Sequence, residues 1–156
     1  MRSYTRLKLT FLFLSFFSVS TGTKAAGPSV KRDSLLKILQ INDTRLRQRQ
    51  LVLYIRYYFG DVPDDQLTAV KTEAGNLLER YQVTDRVAIG QFMETLCLMQ
   101  LRQYRPAEKA LVSAIALADQ NDDDYLLYAC FTHLGFIQTY QGEVTEAISS
   151  FRLAKK

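Results

Sequence analysis

Two helical patterns that meet at a glycine fill the last thirty residues of the chain, from Tyr125 to Ala154. Gly135 lies within the first pattern and Gly142 marks the turn. Ala147 is the first of the small residues that recur in the second pattern. Small residues at such spacing allow two helix backbones to approach closely, which predicts an antiparallel hairpin. One hairpin cannot bury all its apolar faces alone, so the pattern predicts a scaffold of stacked hairpins.

Part of this pattern also occurs 40 residues earlier, where an alanine, a large apolar residue and a second alanine recur at the same spacing. An alanine permits close helix contact, and the bulky residue one turn later fills the groove beside it. We expect these positions to pack the repeats together. They are Phe131, Leu134, Gly135, Gly142, Ala147, Phe151 and Ala154 in the last segment, and Tyr104, Ala107, Leu111 and Ala114 in the earlier one.

These positions resemble the consensus of the tetratricopeptide repeat family. Gln138 stands where the family has a second aromatic residue, and Thr95 stands where it has glycine. The resemblance implies an all-α fold in which antiparallel helix hairpins stack as an α-solenoid over residues 31–156. The repeats would span 43–82, 86–120 and 122–156, of which the first has the required length but lacks the signature.

Capping and turn residues predict where the helices begin. Asp33 is expected to cap a short first helix, and Asn42, Asp43 and Thr44 to end that helix and cap the next. Pro63 is expected at the first position of a third helix, which suits its fixed φ and missing N–H. No segment alternates with a period of two, so no sheet is expected.

Residues 1–26 have the three-part pattern of a cleaved signal peptide. A basic start up to Lys8 precedes an apolar run over 9–19, and a small, polar stretch follows. Eleven helical residues rise roughly 16 Å, about half of a bilayer core, so an uncleaved anchor or a core helix is a weaker interpretation. We expect cleavage near Ala25 or Ala26 and an exported, periplasmic or extracellular product.

The net charge of +4 belongs to the export signal, because residues 1–25 hold four basic and no acidic residues. The remainder is neutral, which argues against a nucleic-acid partner, since that needs a basic face on the mature domain. Arg45, Arg47 and Arg49 are spaced by two and are expected on a solvated helix surface. Contact with a membrane is expected only through the signal.

Enzymatic chemistry and cofactor binding are not expected. His133 is the only histidine and lacks the partners of a catalytic triad or a metal site, so it is expected to be exposed or to face the groove. Asp119, Asn121 and Asp123 imitate the start of a calcium loop, but Asp124 and Cys130 stand where such a loop needs glycine and glutamate. That acidic segment is expected to cap a helix.

Two further residue sets have alternative interpretations. Cys97 and Cys130 would enter an oxidising compartment, yet the repeat register separates them by roughly 10 Å along parallel helices, beyond the reach of a disulfide. Two separate buried thiols are therefore favoured over a bond. Asn42, Asp43 and Thr44 form a glycosylation acceptor sequence in a eukaryotic source, although helix capping is the preferred interpretation.

The resemblance implies a concave groove lined by the first helix of each repeat, which would bind a protein or peptide. Burial in the core is the alternative for many of these residues. The candidate groove residues are Tyr54, Tyr57, Tyr58, Phe92, Leu96, Met99, Thr132, Phe136, Thr139 and Tyr140.

The predicted function is a non-enzymatic protein–protein interaction scaffold, as the sensory or assembly region of a larger bacterial signalling protein. A self-contained periplasmic adaptor or oligomerisation module is the alternative. The last helix would present Ala147, Ile148, Phe151 and Ala154 without a following repeat, which favours either a fragment of a longer protein or self-association through this helix.

Overall fold

A computed structural model describes residues 29–155, and every regular element in that range is helical. The prediction of an all-α fold is confirmed. A short 3-10 turn over Asp64–Gln66 precedes the third α-helix. The helices are α1 (Ser29–Leu39), α2 (Thr44–Gly60), α3 (Leu67–Arg80), α4 (Arg86–Gln100), α5 (Tyr104–Gln120), α6 (Asp124–Gln141) and α7 (Val144–Leu153).

Side-chain caps fix the beginnings of α2 and α6, as predicted. The Asp43 carboxylate accepts a hydrogen bond from the backbone N–H of Leu46 at 2.8 Å, and Asp123 accepts one from Leu126 at 3.0 Å. Each bond satisfies one of the free N–H groups at a helix start. Gly142 ends α6 with φ of 82°, a left-handed conformation that glycine adopts without steric cost.

Two predicted helix starts are wrong. Asp33 lies inside α1, which begins at Ser29, so the N–H groups after it are already bonded within the helix. Pro63 is extended, with ψ of 145°, and precedes the 3-10 turn, while α3 begins only at Leu67. The 3-10 turn precedes α3 along the chain and is closed by a hydrogen bond of 2.9 Å, which the Gln66 N–H donates to the Pro63 carbonyl.

Helices α4 to α7 form two antiparallel hairpins that share a common core. α5 packs against both α4 and α6, while α7 packs against α6. The small residues of α5 that face its neighbours, among them Ala107 and Ala114, have no exposed surface, and Ala147 of α7 is buried as well. Leu111 is buried between these alanines, in the arrangement expected from the recurring pattern.

The α6–α7 contact depends on a missing side chain. A Cβ atom at Gly135 would lie 2.6 Å from the Phe151 ring, so only glycine admits the phenylalanine here. In the α4–α5 hairpin, Thr95 occupies the equivalent position and Leu111 replaces the phenylalanine. The Thr95 hydroxyl donates to the Gln91 carbonyl of its own helix at 2.9 Å and is fully buried. Because Leu111 is smaller than a phenylalanine, the position of Thr95 has room for a side chain.

Helix α2 packs on α4 and α6 and makes more extensive backbone contact with them than with α3. It runs parallel to both, since Gln48 near its start donates to Asp85 at the start of α4 (2.9 Å), while its end lies beside their last turns. α3 packs instead on α4, where Lys71 and Glu94 form an ion pair. The segment predicted as the first repeat, 43–82, therefore differs in packing from the two that follow.

The two thiols are separate and buried, as predicted. Burial raises the pKa of Cys97 to about 11 and shifts the pKa of Cys130 upward as well. None of the helices between residues 29 and 155 is both long and apolar enough to cross a bilayer. The predicted export signal, 1–26, lies outside the described residues.

Candidate functional site

An open cleft of about 850 Å³ lies where the last turns of α2, α4 and α6 converge. The parallel course of the three helices brings their carboxyl-terminal ends together, and the turn between α4 and α5 closes one side. The cleft is lined by Arg56, Phe59, Gly60, Leu96, Met99, Gln100, Arg102, Tyr104, His133, Phe136 and Tyr140.

Aromatic side chains form one wall of this cleft. Tyr104 at the start of α5 stacks on Tyr140 at the end of α6, with ring centroids 5.0 Å apart and planes 18° apart. Phe136, one turn earlier on α6, meets the Phe151 ring edge to face at 5.5 Å. Tyr140 is 64% exposed and Phe136 is 43% exposed, so both rings retain free apolar surface. Such rigid rings contribute much contact area at low entropic cost.

His133 lies between the Phe92 and Phe136 rings and is neutral at pH 7. Its imidazole meets Phe92 at 5.1 Å and Phe136 at 5.9 Å, in both cases edge to face. Burial, aided by the nearby positive charge of Arg56, lowers the His133 pKa to about 4. Nδ1 lies 2.8 Å from the Ala129 carbonyl, which only accepts hydrogen bonds, so Nδ1 carries the proton and Nε2 is an acceptor.

Two guanidinium groups, Arg56 on α2 and Arg102 in the α4–α5 turn, supply the charge of the cleft. No carboxylate is among its lining residues, and neither arginine forms an ion pair with an acidic side chain in the described part of the chain. The Arg56 guanidinium lies 5.8 Å from the centroid of the Tyr128 ring. The cleft is therefore positively charged and favours an anionic group.

Four of the predicted groove residues line this cleft, namely Leu96, Met99, Phe136 and Tyr140. For Phe92 the alternative interpretation holds, because this side chain is fully buried behind His133 and belongs to the core. A helix whose apolar residues cover nearly its whole circumference does not reveal from sequence alone which of them reaches the surface.

The remaining predicted groove residues lie elsewhere. Tyr54 and Tyr58 pack on the other side of α2, in a hollow shared with α1 and α3, and Tyr57 is 75% exposed outside the cleft. The Thr132 and Thr139 hydroxyls donate to carbonyls of their own helix at 2.7 Å. Because Tyr54 and Tyr58 are one turn apart on α2, they share the face that packs toward α1 and α3.

The sequence interpretation missed part of the cleft. Arg56, Phe59 and Gln100 line it, yet helical periodicity alone does not show that the end of α2 meets α4 and α6. Tyr104 was expected only in repeat packing, although it also forms the aromatic wall. The position of His133 in the cleft could have been predicted from its spacing to Phe136, because residues three apart on a helix share a face.

The cleft offers several kinds of non-covalent contact. It combines exposed aromatic and thioether surface, two cations and one imidazole acceptor. Within residues 29–155 no group of three or more histidine, cysteine, aspartate or glutamate side chains is placed to hold a metal ion. No protein-family model, no curated protein and no solved structure matches the chain, so its function is inferred from this geometry.

Proposed function

We propose that the chain is a non-enzymatic protein–protein interaction scaffold and that the cleft between the ends of α2, α4 and α6 binds a segment of another protein. The observation that supports this most directly is the combination, in one open cleft, of the exposed Phe136 and Tyr140 rings with Arg56 and Arg102. Aromatic and arginine side chains are the residue types that contribute most at protein interfaces.

The cleft suits a segment that carries a large apolar side chain close to a carboxylate. Burial of one leucine or phenylalanine side chain contributes about 1.5–3 kcal/mol. Hydrogen bonds from a guanidinium to a carboxylate contribute about 1.5–3 kcal/mol each. Two or three such contacts, less the cost of ordering the segment, correspond to weak, reversible binding.

The proposal includes the stacking of α4–α5 on α6–α7 as tetratricopeptide-like repeats and export of the chain. The shared core of the two hairpins and the Gly135–Phe151 contact support the first part. We also propose a role in the sensory or assembly region of a bacterial signalling protein, and the basic start and apolar run of residues 1–26 support the export of the chain. Mass spectrometry of the exported product tests it, since the mature chain should begin near Ala25 or Ala26.

A displayed library of random peptides, selected on the purified chain, tests the binding function. We expect enrichment of peptides that combine an acidic with a large apolar residue, and at least 10-fold weaker binding of these peptides to Tyr140→Ser and Arg102→Gln. Tyr57→Ser is the matched control, because Tyr57 is even more exposed but lies outside the cleft. Failure to enrich any peptide, or equal binding to Tyr140→Ser, would refute the proposal.

A further inference from the structure

A second hollow, of about 420 Å³, lies along the seam between α2 and α6, and we refer to it as the seam pocket. Residues 49, 52, 53 and 56 of α2 recur at helical spacing and so face α6 together. Residues 124, 125 and 128 lie on the face of α6 that is turned toward α2. The seam pocket is lined by Arg49, Val52, Leu53, Arg56, Asp124, Tyr125 and Tyr128.

The walls of the seam pocket are mostly apolar. Val52 is buried and Leu53 half-buried on the α2 side, while Tyr125 and Tyr128 flank the opening on the α6 side and are partly exposed. A hollow of this volume lies within the range of sites for single small molecules. Its apolar surface accommodates one large aliphatic or aromatic side chain.

Both signs of charge are present in the same pocket. Arg49 and Arg56 contribute two guanidinium groups and Asp124 one carboxylate, and no ion pair joins any of the three to another residue in the range 29–155. An adjoining hollow of about 210 Å³ shares Asp124 and Tyr125 and adds Asp122 and Arg45, so charges of both signs continue toward the start of α6. Arg56 lies beside Tyr128 at the other end of the seam pocket.

We propose that the seam pocket binds a free amino acid with a large apolar side chain. Its carboxylate would accept hydrogen bonds from Arg49 and Arg56, and its ammonium group would donate to Asp124. Its side chain would pack between Val52 and the two tyrosines. A zwitterion contacts all three charged groups, whereas a simple carboxylate gains nothing from Asp124 and a simple amine gains nothing from the arginines.

This inference is independent of the peptide-binding function, because the seam pocket shares only Arg56 with the cleft. Isothermal titration of the full chain with four compounds tests the ligand chemistry. L-Phenylalanine is the probe, phenylacetate lacks the ammonium group, phenethylamine lacks the carboxylate, and L-alanine lacks the large side chain. We expect L-phenylalanine to bind saturably and each of the others to bind at least 10-fold more weakly.

Substitutions locate the binding site. Arg49→Gln and Asp124→Asn should each weaken binding of L-phenylalanine at least 10-fold, whereas Arg80→Gln, on α3 and outside the pocket, should leave it within twofold. Arg49 and Asp124 are exposed on helix surfaces, and circular dichroism at 222 nm verifies that each variant is folded. The proposal is overturned if phenylacetate or L-alanine binds as tightly as L-phenylalanine. It is equally overturned if no binding occurs up to about 10 mM, or if Arg80→Gln and Arg49→Gln have the same effect.

Discussion

Gly135→Ala is expected to destabilise the protein, although alanine is the better helix former. The ideal Cβ position at Gly135 lies 2.6 Å from the nearest carbon of the Phe151 ring, well inside van der Waals contact. Phe151 is partly exposed and meets Phe136 at 5.5 Å, so its ring can move only by giving up that contact and part of its packing on α6. In Gly135→Ala, the gain in helix propensity is therefore opposed by the steric overlap with the Phe151 ring.

The size of the effect follows from these opposing contributions. Alanine in place of glycine within a helix stabilises by about 1 kcal/mol. Overpacking a close contact costs about 1–3 kcal/mol, and loss of an aromatic pair costs about 0.5–1.5 kcal/mol. Gly135→Ala should therefore lower the free energy of unfolding by about 0.5–3.5 kcal/mol.

Urea unfolding followed by circular dichroism at 222 nm measures this difference. Gly90→Ala is the matched control, because Gly90 lies within α4 and a Cβ atom there meets nothing within 4 Å, so this variant should be more stable than the wild type. Phe151→Leu should restore part of the lost stability in the Gly135→Ala background, where leucine reproduces the pairing found at Leu111. The explanation fails if Gly135→Ala stabilises as much as Gly90→Ala, or if the two substitutions are strictly additive.

Three further results are expected. Gly142→Ala should cost about 1 kcal/mol in urea unfolding, because the φ of 82° there is strained for alanine. The His133 pKa falls from 6.5 unfolded to about 4 folded, so its contribution to stability is complete above pH 6.5 and lost as the pH falls toward 4. The loss is roughly 3 kcal/mol, measured as the difference in unfolding free energy between wild type and His133→Gln at each pH. The pKa of about 11 should make Cys97 react with iodoacetamide at pH 8 roughly 100-fold more slowly in the folded chain than in urea, measured by mass spectrometry.

The helical content and most helix ends were predictable because they depend on local chemistry. Asp43 and Asp123 cap the helices that follow them, and Gly142 supplies the left-handed residue that ends α6. Each signal acts within a few residues of the feature it determines. Asp33 shows the limit of this reasoning, because a capping residue in the sequence does not reveal whether the helix has already begun upstream.

The candidate site was predictable only where one helix determined it. Leu96 and Met99 share the side of α4 that lines the cleft, and Phe136 and Tyr140 share that of α6, as their spacing indicates. The arginine that lies between the cleft and the seam pocket, Arg56, was not identified, since its position depends on where α2 packs.

The placement of α2 is therefore the step on which both pockets depend. Periodicity shows that a helix has a buried face but not which helix covers it, and α2 carries apolar residues on more than one side. Its contacts with α4 and α6 come from sites far apart in sequence, such as Gln48 with Asp85 and Arg56 with Tyr128. The end of α2 adds Phe59 to the wall of the cleft, while its Arg49–Arg56 face forms one side of the seam pocket. Arg56 lines both hollows and Arg49 lines the seam pocket, because α2 packs on α4 and α6 rather than on α3 as in a regular repeat hairpin. Both proposed binding sites thus depend on the packing that departs from the repeat pattern.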